Sequence, residues 1–343
     1  MSRAFDRALI QAALIARLAD SNLLVNGFHT VSQENGSTAA SIGKYPVDQF
    51  STSGPNNLIS AQQVANPFPS QPDIPFGTKV TVSTAQATMA AADQYQIYQS
   101  IEGTNLARLQ YGAANARPVT LAFMLRPNFS GVAYFSLISL ANTSNYRSVV
   151  HKLALVANQD NFFCFTVSGD QAAALLTSTA ASLQVRWCFA AGTQFQTPNV
   201  DVWQTGNFQA GADITNMVAT VGNSVIISGC VMVPGRFNIT QDVLPMLQRR
   251  YDDELRLCQR YYFLDYGRWD GQATQGAGVT TVSKFAVAMR TNPSITYATA
   301  GVANFNPTPG VYSVTQHALW SGQGPTASGG AYFTFYYYAN ARM

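Results

Sequence analysis

Leu183–Phe189 reads LQVRWCF, and Val119–Leu125 reads VTLAFML. In the first, Leu183, Val185, Trp187 and Phe189 alternate with Gln184, Arg186 and Cys188. In the second, Val119, Leu121, Phe123 and Leu125 alternate with Thr120, Ala122 and Met124. Period-two alternation turns one set of side chains onto a core and the other set onto the opposite face of a strand. The same pattern returns at Val80–Thr84 and in VAYFSLI (132–138), SVVHKLALV (148–156), NFFCFTV (161–167) and SVIISGCVMV (224–233). Many short strands separated by turn residues predict a mainly β protein, an antiparallel jelly-roll β-sandwich. The chain shows no strand–helix–strand rhythm, which disfavours a parallel α/β enzyme fold.

Composition narrows the class. The 343 residues are 47% hydrophobic but only 11% charged, against about 25% charged in an average soluble domain. Such a chain folds, and its polar surface of Ser, Thr, Asn, Gln and Gly suits sheets and self-packing. The net charge of +3 comes without a basic run longer than Arg249–Arg250, so nucleic acid is not expected as a partner. No stretch reaches the ~20 apolar residues of a membrane span. The four cysteines, Cys164, Cys188, Cys230 and Cys258, form no CxxC pair. They read as small buried thiols of a protein made in a reducing cytoplasm, not as metal ligands. No cofactor is implied.

Two segments break the β pattern. MSRAFDRALIQAALIARLADS at the start reads as an amphipathic helix presenting Phe5, Leu9, Leu14 and Leu18. Asp6 near its beginning and Arg17 near its end agree with the helix dipole. The second helix begins with Asp242 as N-cap, which puts Pro245 at the third helical position, where it is tolerated. Leu244, Leu247, Tyr251, Leu255, Cys258 and Tyr262 then follow at steps of three or four and form one stripe. Ion pairs on the opposite face contribute about 0.3–0.5 kcal/mol each, so the stripe is expected to be buried, on the sandwich or against copies of itself. The loop-rich stretch Ser32–Gln71 is expected to wrap a surface. After Gly267 the chain returns to strands: TTVSKFAVAM, SITYATA, VYSVTQHALW and AYFTFYYYANA. The last of these looks apolar on both faces, which suggests burial on both sides. The resulting organisation is an N-terminal helix (1–21), a sandwich (22–239), a linker helix (240–266) and a small β domain (267–343).

Signs of catalysis are weak. His29, His151 and His317 sit in unrelated segments without HExxH or HxH spacing, and no GxSxG elbow is present. Five of the 17 acidic residues, Asp242, Asp252, Asp253, Glu254 and Asp265, cluster around the second helix, where ion pairing accounts for them. Enzyme activity is not expected. Trp203, Trp269 and Trp320 lie beside Gly-rich or polar loops and are candidate glycan contacts, since an exposed aromatic face can stack on a sugar ring. The alternative for each is a core or interface aromatic.

Four segments occur in a fixed order: NLLVNGFHTVSQENGSTAASIGKYPVDQF (22–50), QSIEGTNLARLQYGAANARPVTLAFMLR (99–126), ATVGNSVIISGCVMVPG (219–235) and ELRLCQRYY (254–262). In combination they resemble virion proteins of tailed bacteriophages, of the tail-fibre or tail-appendage kind, whose central part is similar to a carbohydrate-binding-module jelly roll. FAVAMRTNPSITY (285–297) resembles their post-helix segment more weakly. The resemblance covers Asn22 to Tyr262. It implies a structural or receptor-binding virion protein, assembled in the host cytoplasm, with other virion proteins as partners and a homotrimeric state like that of fibre-like relatives. The N-terminal helix falls outside the resemblance and is read as an attachment helix. The stripe Leu244 to Tyr262 is read as an assembly element beside a three-fold axis. Host surface polysaccharide is a candidate partner. The competing expectations are a capsid decoration protein without a receptor role and a stand-alone carbohydrate-binding module.

Overall fold

The computed structural model describes residues 13–306 and 310–343. The chain divides into two compact units, Met1–Tyr251 and Asp252–Met343.

The first unit contains a helix over residues 13–21 and twelve strands. These are β1 (Ala40–Ser41), β2 (Ser51–Ser53), β3 (Ile59–Ala65), β4 (Phe76–Val82), β5 (Gln94–Glu102), β6 (Val119–Pro127), β7 (Gly131–Ser139), β8 (Arg147–Leu155), β9 (Asn161–Val167), β10 (Ala181–Ala191), β11 (Gln204–Thr205) and β12 (Ser224–Pro234). They form two six-stranded sheets, ordered β1-β3-β4-β12-β6-β9 and β11-β8-β7-β10-β5-β2, and every named pairing is antiparallel. Eight strands, β4 to β10 and β12, are divided between the sheets so that β4-β12-β6-β9 faces β5-β10-β7-β8. That is the jelly-roll order. The mainly β sandwich expected from the alternation is therefore the observed fold.

The alternating sets fall as the period dictates. Val119, Leu121, Phe123 and Leu125 meet Leu183, Val185, Trp187 and Phe189 in one core. Phe123 lies edge-on to Trp187 at 5.5 Å and to Phe135 at 5.8 Å. The other face of the first sheet is covered too. Ala122, Met124, Val231 and Val233 form a second cluster with Leu18, Phe28, Ile239, Leu244 and Leu247.

Three sequence expectations are corrected here. Ser32–Gln71 is not all loop, because β1, β2 and β3 lie within it. The single helix expected from Asp242 to Tyr262 is broken. Leu244–Leu247 is a short 3-10 turn whose cap residue Gln248 is extended (ψ 129°), and an α-helix spans only Tyr251–Gln259. The physical cause is tertiary: the Arg249 guanidinium donates to the carbonyl oxygen of Leu24 at 3.0 Å and also to that of Asn22, which holds the chain out of helical register. Finally, Tyr262 is not helical but opens a strand.

The second unit holds that helix and six strands, β13 (Tyr262–Ala273), β14 (Val279–Lys284), β15 (Ser294–Ala303), β16 (Gly310–Val314), β17 (Ala318–Gln323) and β18 (Gly329–Asn340). They make two three-stranded sheets, β13-β18-β15 and β14-β17-β16. Phe333, Phe335 and Tyr337 of β18 pack with Phe263, Phe285, Phe305 and Leu319 in its core. In the single chain only one face of β18 is buried: Tyr332 and Tyr336 on its other face are 42% and 47% exposed, and burial of that face in a subunit interface stays an expectation. Tyr266 of β13 stands beside Tyr336, with ring centres 5.5 Å apart, and is itself exposed.

Candidate functional site

The core face of the second sheet accounts for half of its residues. The other half points away from the core. On that face β10 contributes Gln184, Arg186 and Cys188, β5 contributes Gln96, Tyr98 and Ser100, and β7 contributes Tyr134, Ser136 and Ile138. Register fixes their neighbours: Arg186 lies between Tyr98 and Ser136, and Gln184 lies between Ser100 and Ile138.

Arg186 is the unusual member. It is only 8% exposed, and a buried cation in proteins is normally paired with a carboxylate. Arg147 on β8 shows the normal case, with its Nε and Nη2 on the two carboxylate oxygens of buried Asp170 at 2.5 and 2.8 Å. Arg186 instead donates from Nε to the amide oxygen of Gln184 and from Nη1 to Asn207 Oδ1 at 3.2 Å. Gln184 in turn donates to Ser100 Oγ at 3.0 Å. All of these acceptors are neutral. The titratable groups acting on Arg186 are Cys188, Tyr98 and Tyr146, and burial pulls its pKa down to about 10. The guanidinium is thus still charged at neutral pH. On the same face the Ser136 hydroxyl and the Gln96 carbonyl oxygen are buried without a hydrogen-bond partner. Such groups normally find one, in protein or in ordered water.

Asn207 is placed by a clamp. Ser148 Oγ donates to the carbonyl of Gly206 at 2.8 Å and accepts from the amide of Phe208 at 3.2 Å, so the residue between them is held on the sheet. Gly206 has φ +134°, and a Cβ there would stand 2.3 Å from the Phe208 ring. Glycine is required at this corner. Beyond it, Phe208, Ala210 and Ile214 cover Tyr134, Val150 and Cys188 in a small apolar cluster. Gln96, Ser136, Ile138, Gln184 and Arg186 on this face are buried as well. Tyr98, Ser100, Tyr146 and Asn207 are half-buried, so the polar cluster has an accessible rim.

The residues singled out in the sequence lie elsewhere. Trp203 is half-buried, donates its indole N–H to the Ser168 carbonyl at 2.7 Å and meets Tyr111 edge-on at 5.8 Å. Trp269 stacks on Phe333 at 6.3 Å in the core of the second unit. Trp320 is half-buried on β17, a strand of that unit's other sheet. The three do not form one site. Leu244, Leu247, Cys258 and Tyr262 are buried, Leu255 is half-buried and Tyr251 is 55% exposed, so the stripe is not continuous. Of the attachment helix, Leu18 is buried and Leu14 is 48% exposed, while Phe5 and Leu9 lie outside the described residues. Cys188, Cys230 and Cys258 are buried and Cys164 is half-buried, and burial pushes Cys188 up to about 12.

His151 forms a pair with Asp201, Nδ1 to Oδ1 at 2.5 Å. Its ring is stacked on Phe135 at 4.7 Å, and its Nε2 is buried without a partner. A triad needs a nucleophile hydrogen-bonded at that nitrogen. Among the described residues no group of three His, Cys, Asp or Glu side chains could hold a metal ion, and no helix is long and apolar enough to cross a membrane. The polar cluster around Arg186 was missed because it has no motif. Its signal was a charged residue in mid-strand in a chain with few charges, beside the polar alternation of QYQIYQS (94–100).

No protein-family model matches the chain, and no curated protein matches it in sequence. Among solved structures it is similar to the enzymatically active domain of tailspike protein 4 of bacteriophage CBA120, at 13% identity and a TM-score of 0.34, over 63% of this chain and 22% of that one. It is also similar to a family 4 carbohydrate-binding module, at 10% identity and a TM-score of 0.31, over 61% of this chain and 97% of the other. A family 11 carbohydrate-binding module of Clostridium thermocellum in complex with a mixed-linked tetrasaccharide gives 6% identity and a TM-score of 0.29, over 60% and 100% of the two chains. The likenesses are distant, and the jelly-roll assignment rests on the strand order itself.

Proposed function

We propose that this chain is a non-enzymatic saccharide-binding β-sandwich, carried on a tailed-phage virion as a fibre or fibre-like appendage, and that it engages saccharide on the outer face of its second sheet. The observation that supports binding there is the cluster of Arg186, Gln184, Ser100 and Asn207, bordered by the half-buried Tyr98 and Tyr146. Saccharides present closely spaced hydroxyl groups that both donate and accept. Side-chain amides, hydroxyls and a planar guanidinium supply the complementary set, and the Tyr98 ring at the rim offers an apolar face. The placement on a virion is supported by the sequence resemblance over residues 22–262. The test is a saccharide array and host lipopolysaccharide probed with the full chain and with Gln184→Ala. Binding that falls in the variant supports the reading. An array and a lipopolysaccharide both left unbound would remove it.

A second reading has its own support. Leu264, Tyr266, Tyr332 and Tyr336 are 38%, 42%, 42% and 47% exposed on one face of the β13-β18-β15 sheet. A self-associating decoration or fibre protein would bury such a face against copies of itself. The mass in solution tests this: a value near three times 37.0 kDa supports a homotrimer, and a stable monomer at high concentration opposes it.

A further inference from the structure

Arg186 poses an energetic question that a neutral ligand does not answer. A guanidinium taken out of water is strongly disfavoured unless an anion offsets it. Four ion pairs of the sandwich, Arg126–Asp160, Arg147–Asp170, His151–Asp201 and Lys152–Asp213, do have a carboxylate. Arg186 has two neutral amide acceptors, one on Nε and one on Nη1. Of its five N–H donors, three, including both on Nη2, have no acceptor among the described residues. Arg186 keeps 8% of its surface exposed, and Tyr98, Ser100, Tyr146 and Asn207 beside it are half-buried.

The two amides do more than share the charge. Gln184 on one side and Asn207 on the other fix the guanidinium plane, and each is itself fixed, Gln184 by Ser100 and Asn207 by the Ser148 clamp. A fork held in this way is organised before any ligand arrives. Its free edge suits an oxyanion, which takes two parallel N–H bonds. The groups at the half-buried rim, Tyr98, Ser100 and Asn207, are hydroxyls and an amide, neutral donors and acceptors. They suit hydroxyl groups, not a second charge. The site therefore asks for one anionic group on an otherwise neutral, hydroxyl-rich molecule.

We infer that the outer face of the second sheet takes an acidic saccharide, whose carboxylate or phosphate ester completes the unpaired Arg186 while its hydroxyls engage Ser100 and Asn207 at the half-buried rim. The inference rests on the saccharide reading above and specifies its ligand class.

The test uses the full chain against arrayed saccharides in matched sets: uronate-bearing oligosaccharides, the same oligosaccharides with the carboxyl groups reduced to alcohols, and phosphorylated oligosaccharides with their dephosphorylated forms. Binding is measured for the wild type, Arg186→Met and Arg186→Lys. The expected result is that acidic members bind about tenfold or more tightly than their neutral counterparts. That preference disappears in Arg186→Met and is only partly kept in Arg186→Lys, which retains the charge without the fork. Whether the uronates or the phosphate esters carry the preference identifies the oxyanion. Equal binding of acidic and neutral members, unchanged by Arg186→Met, overturns the inference and leaves the saccharide reading intact. Absence of binding to every member overturns both. A circular-dichroism melt of Arg186→Met shows that loss of binding is not loss of fold, and the Lys variant carries the test if the Met variant does not fold.

Discussion

Acidification should weaken the sandwich well before its carboxylates titrate, and His29 should be a main cause. His29 is fully buried, with its ring 4.3 Å from that of Phe50. Its Nδ1 is 2.8 Å from Thr78 Oγ1, and its Nε2 is buried without a partner. Burial lowers its pKa from 6.5 to about 3. The folded state therefore binds the proton less readily than the unfolded state does. Stability from this group is complete above the unfolded value of 6.5 and is lost as pH falls from there toward about 3. The slope is about 1.4 kcal/mol per pH unit, so two units below the unfolded value cost about 2.7 kcal/mol. For a unit of this size that is a fall in Tm of about 5–10 °C. His151, whose pKa burial also lowers despite Asp201, adds to the loss with the same sign. Asp160 and Asp213 are held below the usual carboxylate value of 3.8 by their hydrogen-bonded and charged partners, so their contribution stays intact above that value and is lost only as pH falls through it. The assay is calorimetric melting at a series of pH values from about 7.5 to about 4.5, for the wild type and His29→Asn. Asparagine tolerates the positive φ of 55° at this position. The variant should melt lower at neutral pH, since the Phe50 contact is lost, and should lose less on acidification. Parallel pH profiles for the two proteins would refute the reasoning, because they would mean that His29 titrates alike in both states.

Four further outcomes are expected. Arg186→Met should leave Tm unchanged or raise it, since it removes a buried charge that no carboxylate balances; a fall of several degrees on melting would show that the guanidinium stabilises the free protein. Trp187→Ala should cost about 3–5 kcal/mol by opening a cavity between the two sheets, read as a reduced urea midpoint, and a loss below about 1 kcal/mol would contradict the packing around Phe123. Tyr336→Arg should leave the melting temperature of the second unit nearly unchanged while abolishing any oligomer seen by light scattering; an oligomer that persists places the interface elsewhere. Deleting residues Ser2 to Asp20 should prevent incorporation into particles if the N-terminal helix attaches the protein, and normal incorporation would end that idea.

The strands were legible because the core of a sandwich is set by a local rule. Leu183, Val185, Trp187 and Phe189 announce a buried face by their spacing alone, and the structure places all four in one core. The pairing of β12 with both β4 and β6 was not legible, because it joins residues about a hundred or more positions apart and no local pattern encodes such a contact. The broken helix shows the same limit from the other side. Its helical spacing runs unbroken through Leu247 and Tyr251, yet a tertiary contact from Arg249 to the backbone at Asn22 and Leu24 outweighs a preference of a few tenths of a kcal/mol per residue. The candidate site was hidden for a related reason. In LQVRWCF the core-facing letters carry the pattern, and Arg186 reads as an ordinary solvent-facing charge. The clamp of Ser148 on Gly206 and Phe208, which comes from a different strand and a distant loop, helps to cover that outward face. A charge that would be unremarked in water then becomes a buried cation without a counter-ion. The alternation that makes the fold readable thus puts the site on the half of each strand that carries no core signal. Its chemistry is set by what covers that half, which the strand's own sequence does not contain.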